Sequence, residues 1–309
     1  MESRTVGRTV GRSGLRIAPL GIGTAGWATR TSVEEAGAIL RTFLGSEAAS
    51  YAGVLLDTSP AYGAGNAEPA AGRVLRRLPS HLRERLVISS AAGVDPLAPV
   101  GRRVDCSRRH LLSQLEHTLR NLGVDHLDLW SVGYFDQAAP AEEVAATLDQ
   151  AIAQGKARYV GVRDHAGWQL AVAAGQARNV IAAQAEYSLL VRGAEEHLLQ
   201  AIGYLGTGFI AAAPLAHGVL AGKDGAQLRA DAHPLLDERT PTVVEALRTA
   251  AAGLEIPPAA AALAWVAQRP QVTAVIVGPA TAAQATELVA CGQTRLPAAI
   301  TRALDDVSA

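Results

Sequence analysis

The feature that most constrains this chain is a repeat. An apolar, β-prone run is followed by a stretch of helical spacing, eight times over. Leu20-Gly21-Ile22-Gly23-Thr24 precedes a helix expected over 32–44, with Ser32 as N-cap and Glu35 three residues on. Val54-Leu55-Leu56-Asp57 precedes 68–78. Leu86-Val87-Ile88-Ser89-Ser90 precedes 107–122, where Leu111, Leu112, Leu115, Leu119 and Leu122 keep helical spacing. The next strands, over 127–132, 159–162 and 181–187, precede helices over 141–154, 167–177 and 194–205. The strand over 208–212 precedes a long segment and then a helix over 258–268. The last strand, over 274–278, precedes 283–291, and 297–307 makes a final helix. Such alternation implies a parallel sheet with right-handed crossovers. Eight units close into an α/β fold of the (β/α)₈ TIM-barrel class. Ahead of it, Arg8-Thr9-Val10 and Leu15-Arg16-Ile17 flank Gly11-Arg12-Ser13-Gly14, which reads as an N-terminal β-hairpin. No linker-like stretch divides 1–309, so one domain is expected. The irregular piece over 214–241 is too long for an ordinary βα loop and should lie over the C-terminal mouth of the barrel.

Composition removes several function classes. A formal net charge of −1 offers no basic surface for nucleic acid or an anionic membrane. No apolar run reaches spanning length, and Met1-Glu2-Ser3-Arg4 leads into no signal-peptide core, so a cytoplasmic protein is expected. Cys106 and Cys291 read as unpaired thiols in a reducing compartment. The eight histidines show no metal-ligand spacing, so no metal is expected. What remains is a small-molecule site, and no residue pattern assigns an oligomeric state.

The site should form where Val54–Asp57 ends. Asp57 and Tyr62, five apart just past a buried strand, place a carboxylate and a phenol at the mouth. Arg163-Asp164-His165 is a charged triplet at the mouth of the fifth barrel strand. Arg163 suits a carboxylate or phosphate of a substrate, or else pairs internally. Glu186 and Tyr187 end the sixth strand, and His217 lies in the long loop facing solvent. Trp27 and Tyr134 are expected to wall a substrate pocket, and Trp27, Tyr62, Trp130 and Tyr134 together would enclose a flat or hydrophobic ligand.

Several of these features, in one order, resemble the aldo-keto reductase family. They are the hairpin, Leu15 to Thr24, Asp57…Tyr62-Gly63, Pro214-Leu215…Gly218…Leu220…Gly222-Lys223 and Val277-Gly278…Gln284. The similarity covers nearly the whole chain. The resemblance implies an NADPH-dependent carbonyl reductase in which an Asp, a Tyr, a Lys and a His assist hydride transfer. The Lys lowers the pKa of the Tyr, which is otherwise near 10, the Asp holds the Lys, and the His orients the carbonyl. Asp57 and Tyr62 match. The Lys falls on Ala91 and the His on Gly133. On the cofactor side, Gln184, Leu215, Lys223, Gly278 and Gln284 match. The Ser-Asn that holds the nicotinamide carboxamide reads Arg163-Asp164, the stacking Tyr reads Ala212, the basic 2′-phosphate partner reads Ala280 and the adenine-reading Asn falls on Leu288. Backbone N–H groups near Thr281 could still seat an anion.

Three readings follow. The first is a non-redox enzyme, of dehydratase, isomerase or cyclase type, using Asp57 and Tyr62 with help from Arg163, Asp164 or His165. Without a Lys partner Asp57 would be a desolvated carboxylate of raised pKa. The second is an NADPH-dependent carbonyl reductase. The third is a ligand-binding protein without chemistry. Accordingly the cofactor is either none or NADPH.

Overall fold

The structure, a computed structural model, describes residues 7–95, 97–99, 101–177, 179–222 and 230–309. Two strands, β1 (Arg8–Thr9) and β2 (Arg16–Ile17), form the expected antiparallel hairpin. Eight more close into a barrel: β3 (Leu20–Gly23), β4 (Val54–Asp57), β5 (Leu86–Ala92), β6 (Leu127–Val132), β7 (Ala157–Arg163), β8 (Val180–Glu186), β9 (Gly208–Ala212) and β10 (Val272–Val277). Every neighbouring pair is parallel, and β10 returns to β3. Helices alternate with the strands outside, as the eightfold repeat requires.

Strand period two sorts the side chains. Leu55, Val87, Leu129, Ile181, Ile210 and Ile276 face inward and fill the barrel. Ile22, Leu56, Ile88, Trp130, Val160 and Val162 face outward and pack under the helices. The hairpin closes the bottom, where Val10 and Ile17 join the inner cluster. Gly11 has φ +53°, and a Cβ there would stand 2.6 Å from the Ile181 carbonyl oxygen and 2.7 Å from the Gly208 nitrogen. Only glycine lets the turn lie this close to β8 and β9. The C-terminal ends of the strands are left open for chemistry.

Helix ends follow their sequence signals. Ser32 Oγ accepts from Glu35 N at 3.2 Å and starts Val33–Leu44. Ser107 caps Arg108–Leu122, and Gly123 ends it at φ +70°. One helix escapes the sequence reading. Thr240–Gly253 fills the later part of the long segment before Pro258–Ala267. Its Ala-rich sequence gives weak periodicity, although Pro241 in its first turn is a start signal. The irregular piece itself begins as expected, with a short turn at Ala216–Ala221 beside the mouth. No single helix among the described residues is long and apolar enough to cross a membrane.

One buried carboxylate lies outside the barrel. Glu68 is 1% exposed between the strands and the helix Arg108–Leu122. It accepts from Ser90 Oγ at 2.8 Å, Thr118 Oγ1 at 2.9 Å and Asn121 Nδ2 at 3.4 Å. Burial pushes its pKa up, against those hydrogen bonds. A raised folded pKa means that the contribution to stability is full below the unfolded value of 4.5 and is lost as pH rises through the folded value. Glu68→Gln keeps an acceptor and removes the titration. Its melting temperature should therefore gain on the wild type by a few degrees between pH 5 and pH 8. A constant offset in melts across that range would show that Glu68 does not titrate there.

Candidate active site at the barrel mouth

Asp57 ends β4 and is 1% exposed. It is not the unpartnered carboxylate that loss of a Lys at Ala91 suggests. Arg163 Nη2, reaching from the end of β7, lies 2.7 Å from Asp57 Oδ1. The same Nη2 donates to Ser89 Oγ at 3.0 Å, and Nη1 donates to the Thr58 carbonyl at 3.1 Å. Ser89 Oγ donates to Asp57 Oδ1 at 3.3 Å. The Tyr62 hydroxyl and Gln184 Nε2 both donate to Asp57 Oδ2, at 3.2 and 3.4 Å. Burial still pushes the Asp57 carboxyl up, and Arg163 is the strongest force holding it down. Tyr62 is held above the ordinary tyrosine range by burial and by the Asp57 carboxylate, with Arg163 opposing. Here Tyr62 is a hydrogen-bond donor before it is an acid.

The expected triplet is divided where β7 ends at Arg163 and Asp164 turns into the left-handed region. Arg163 points to the axis and is spent on Asp57, so it does not read a substrate anion. Asp164 stands exposed at the mouth with φ +51°. Its backbone N–H donates to the Gln184 carbonyl at 2.8 Å, and its carboxylate meets the Tyr134 hydroxyl. Although solvent reaches it, the walls of the mouth partly desolvate the Asp164 carboxyl and raise its pKa to about 6; Arg163 opposes the rise and Glu186 adds to it. His165 turns outward. It is 6% exposed, its Nδ1 lies 2.7 Å from the Arg163 carbonyl oxygen, and Phe135 packs edge-on against its ring. Its neighbours are the apolar walls Val132, Val144, Leu148 and Val162, and burial lowers its pKa. His165 is therefore not a mouth residue.

Glu186 and His217 do reach the mouth. His217 Nε2 lies 3.1 Å from Glu186 Oε1, and the His217 side chain is only 12% exposed, so it turns in from solvent. Tyr187 points outward, bonds Glu195 Oε1 at 2.5 Å and lies against Trp265, which makes it structural. The expected aromatic enclosure does not form. Trp27 and Trp130 are each 1% exposed in the core under the helices, while Tyr134 stays 45% exposed at the rim. Trp130 is an outward position of β6, so its parity forbids a role on the axis.

The remaining positions are equally definite. Ala91 is 5% exposed at the end of β5. A Cβ on Gly133 would stand 3.0 Å from Val94 Cγ2 and 3.2 Å from the Ala92 oxygen, so no side chain fits without movement of Val94. Leu215 is half-buried against the core, and Gly278 is exposed after β10. Gln284 Oε1 accepts from Ala280 N at 2.8 Å, and Thr281 Oγ1 accepts from Gln284 N at 3.2 Å. The Glu35 carboxylate accepts the N–H of Ala282 at the start of the helix Ala282–Cys291. Lys223 lies outside the described residues. Cys106 and Cys291 are free and buried, and burial pushes the Cys106 thiol up to about 12. No group of three or more His, Cys, Asp or Glu among the described residues could hold a metal ion.

Sequence reasoning missed Ser89 and Thr58, read Glu35 only as part of a helix cap, and allowed that Arg163 pairs internally without naming Asp57 as its partner. Ser89 was readable, because Val87, Ser89 and Ala91 share one face of β5. A contact across the barrel between β4 and β7 carries no sequence spacing. It predicts that Arg163→Met, which strands a buried carboxylate, costs about 3–5 kcal/mol in denaturant unfolding. Asp57→Asn combined with Arg163→Met should recover most of that loss. A double variant no more stable than Arg163→Met would contradict the pairing.

Residues 19–309 match the model of the aldo/keto reductase family. The chain is 30% identical over 318 residues to an oxidoreductase, YrpG, of Bacillus subtilis (strain 168), covering 96% of this chain and 94% of that protein. It is also 30% identical over 303 residues to L-glyceraldehyde 3-phosphate reductase of Escherichia coli (strain K12), covering 91% of this chain and 86% of that protein.

Proposed function

The chain belongs to the aldo/keto reductase family, and on that premise we propose that it uses the family barrel for acid–base chemistry on a small carbonyl compound without a nicotinamide dinucleotide. The reaction is an isomerisation, or a dehydration or cyclisation that begins in the same way. The observation that carries this reading is Arg163. Its guanidinium lies on Asp57 across the barrel axis, at the position where the resemblance expects a Ser that holds the nicotinamide carboxamide.

The loop after β10 supports the same conclusion. The family commonly binds NADPH, and a dinucleotide phosphate needs free N–H groups at a helix start. Here Glu35 takes the Ala282 N–H and Gln284 takes the Ala280 N–H. A phosphate would meet a carboxylate already seated at the positive end of the helix. These residues do not fit the group.

The chain's own residues suffice for proton transfer. Tyr62 donates a hydrogen bond to the substrate carbonyl oxygen. The ionised Asp164 carboxylate removes a proton from the adjacent carbon, and the electron pair of that C–H bond moves into the enolate. On an α-hydroxy-carbonyl substrate the Asp164 carboxylic acid then returns the proton to the former carbonyl carbon, while the neighbouring hydroxyl passes its proton to the former carbonyl oxygen and becomes the new carbonyl, so no outside reactant is consumed. A carboxyl with a pKa near 6 is matched to such transfers near neutral pH. The Tyr134 hydroxyl meets the Asp164 carboxylate, and the Glu186 charge raises its pKa.

The test is exchange of α-protons for deuterium in D₂O, followed by NMR over a panel of small ketones and hydroxy-carbonyl compounds. Asp164→Asn should lower exchange about 10²–10⁴-fold, and Tyr62→Phe should lower it as well. Because the base form acts, the rate should climb with pH through about 6 and lose that step in Asp164→Asn. Equal exchange by wild type and Asp164→Asn would overturn the assignment.

A second reading is favoured by the relatives, whose names describe an oxidoreductase and a reductase. In that reading the chain is an NADPH-dependent carbonyl reductase. Titration of the protein with NADPH, followed by nicotinamide fluorescence and calorimetry, separates the two. Absence of binding at millimolar cofactor is the expected result. Micromolar binding with carbonyl-dependent oxidation that Tyr62→Phe abolishes would replace the first reading with the second.

A further inference from the structure

We propose that Arg163 is the positioning residue that sets the proton affinity and the aim of Tyr62, a task carried here by a guanidinium on the fifth barrel strand in place of an ammonium on the third. The proposal deepens the reading above and rests on it, since it assumes that Tyr62 is the group that meets the substrate oxygen.

The geometry is specific. Arg163 is 4% exposed, and its two terminal nitrogens hold the Asp57 carboxylate and the Thr58 carbonyl at once. The Tyr62 hydroxyl and the guanidinium share the Asp57 carboxylate, one on Oδ2 and the other on Oδ1. Nε is buried with no hydrogen-bond partner, so one N–H in the site is uncommitted. A planar, permanently charged fork suits this task, because it can hold a carboxylate and still leave positive charge beside a phenol. By neutralising Asp57, Arg163 weakens that carboxylate's claim on the Tyr62 hydrogen and frees it to turn to a substrate. By remaining charged, it stabilises any negative charge that develops on the phenol oxygen.

The barrel around Arg163 is cut to match. The guanidinium must cross from β7 past β6 and β5 to reach β4. The aligned residues on that path are small: Ala91 pairs with Ser131, and Ser131 with Gly161. An added Cβ at Gly161 would stand 3.0 Å from Ser131 Oγ. A Lys at position 91 would bring a second buried cation to one carboxylate, which a dry interior does not tolerate. The small residue at 91 therefore belongs with the Arg at 163, since one site holds one buried cation. No other described lysine can serve, because Lys156 precedes β7 at the opposite end of the barrel and pairs with Glu116.

Two measurements test this, and neither uses turnover. The first compares Asp57→Asn with Asp57→Asn/Arg163→Met, so that no lone carboxylate is buried in either protein. Tyr62 ionisation is read as the alkaline absorbance change that the matching Tyr62→Phe variant lacks. Removing Arg163 should move the midpoint up by about one pH unit, a tenfold weaker acid. An unchanged midpoint overturns the proposal. The second places Ala91→Lys in the wild type and in Arg163→Ser. It should lower the melting temperature of the wild type and raise that of Arg163→Ser. Equal effects in the two backgrounds overturn the idea of a single exchanged cation. Failure of the acid–base reading itself would appear separately, as deuterium exchange indifferent to Tyr62→Phe.

Discussion

The structure of the mouth depends on one buried ion pair, Asp57 with Arg163. Neither side chain is more than 5% exposed, so both charges have lost almost all of their water. Taking two ions out of water costs several kcal/mol each, and their attraction offsets this only when the remaining polar atoms are also satisfied. Here Ser89, Thr58, Tyr62 and Gln184 supply most of that satisfaction. They come from β5, from the loop after β4 and from β8, with the Arg itself from β7. The pair thus ties separate parts of the sheet together at the C-terminal rim. Its worth lies in fixing one arrangement rather than in raw stability, since apolar residues of similar volume would cost less to bury.

That arrangement sorts the mouth into two layers with different electrostatics. Below, the pair is closed and nearly neutral. Above it stand Asp164, Glu186 and Tyr134, open to water, with His217 turned in against Glu186. The separation pushes the carboxyl groups apart in character: Asp57 is locked to a cation, while Asp164 is raised towards neutrality by partial desolvation and by Glu186. Two carboxyl groups whose surroundings assign them different roles are the usual means by which one site holds both a fixed charge and a mobile proton. The backbone shows the cost of the upper layer. Ala64, Asp164, Ala213, Ala216 and His217 all have φ between +46° and +54° in loops at this end. Non-glycine residues are strained there, and such strain gathers where surrounding packing over-determines a functional loop.

How much of this is legible in the sequence depends on the range of the signal. The eightfold alternation of runs and helical spacings is local and repeated, so the barrel, the hairpin and nearly all of the element order can be read from it. The helix Thr240–Gly253 cannot, because an Ala-rich helix has little contrast between its faces. Asp57, Tyr62 and Asp164 are legible as strand-end residues, and the structure places all of them at the mouth. Trp27, Trp130 and His165 are not, because their sequence neighbourhood does not say which way a strand end or loop turns. Counting parity from Asp57 or Arg163 would have assigned Trp130 outward. His165 shares the parity of Arg163 and would be expected inward; it turns outward because β7 ends at Arg163 and Asp164 takes φ +51°. The Arg163–Asp57 contact spans the width of the barrel, and nothing in a one-dimensional spacing encodes it. The sequence records only its consequence, a small residue at 91 and a large cation at 163.

The same logic of exchanged charge reaches the far side of the mouth. The start of the helix Ala282–Cys291 carries unsatisfied N–H groups and a partial positive charge, as every helix start does. Something must satisfy them, and a bound anion or a side chain can do so. Here Glu35, from the helix Val33–Leu44, satisfies one, and Thr281 and Gln284 close the turn around it. Glu35 also caps nothing on its own helix beyond donating its N–H to Ser32, so its carboxylate is free for this reach. A protein-borne carboxylate joined to the scaffold holds the helix start at no cost in association entropy, which a free anion would incur. A soluble phosphate would have to displace it and leave a half-buried carboxylate beside its own charge. In the proposed reading this is why the family barrel persists while the chemistry turns to proton transfer. Side chains of the chain itself now fill the two seats, Arg163 at the axis and Glu35 at the rim, and both seats remain part of what holds the fold together.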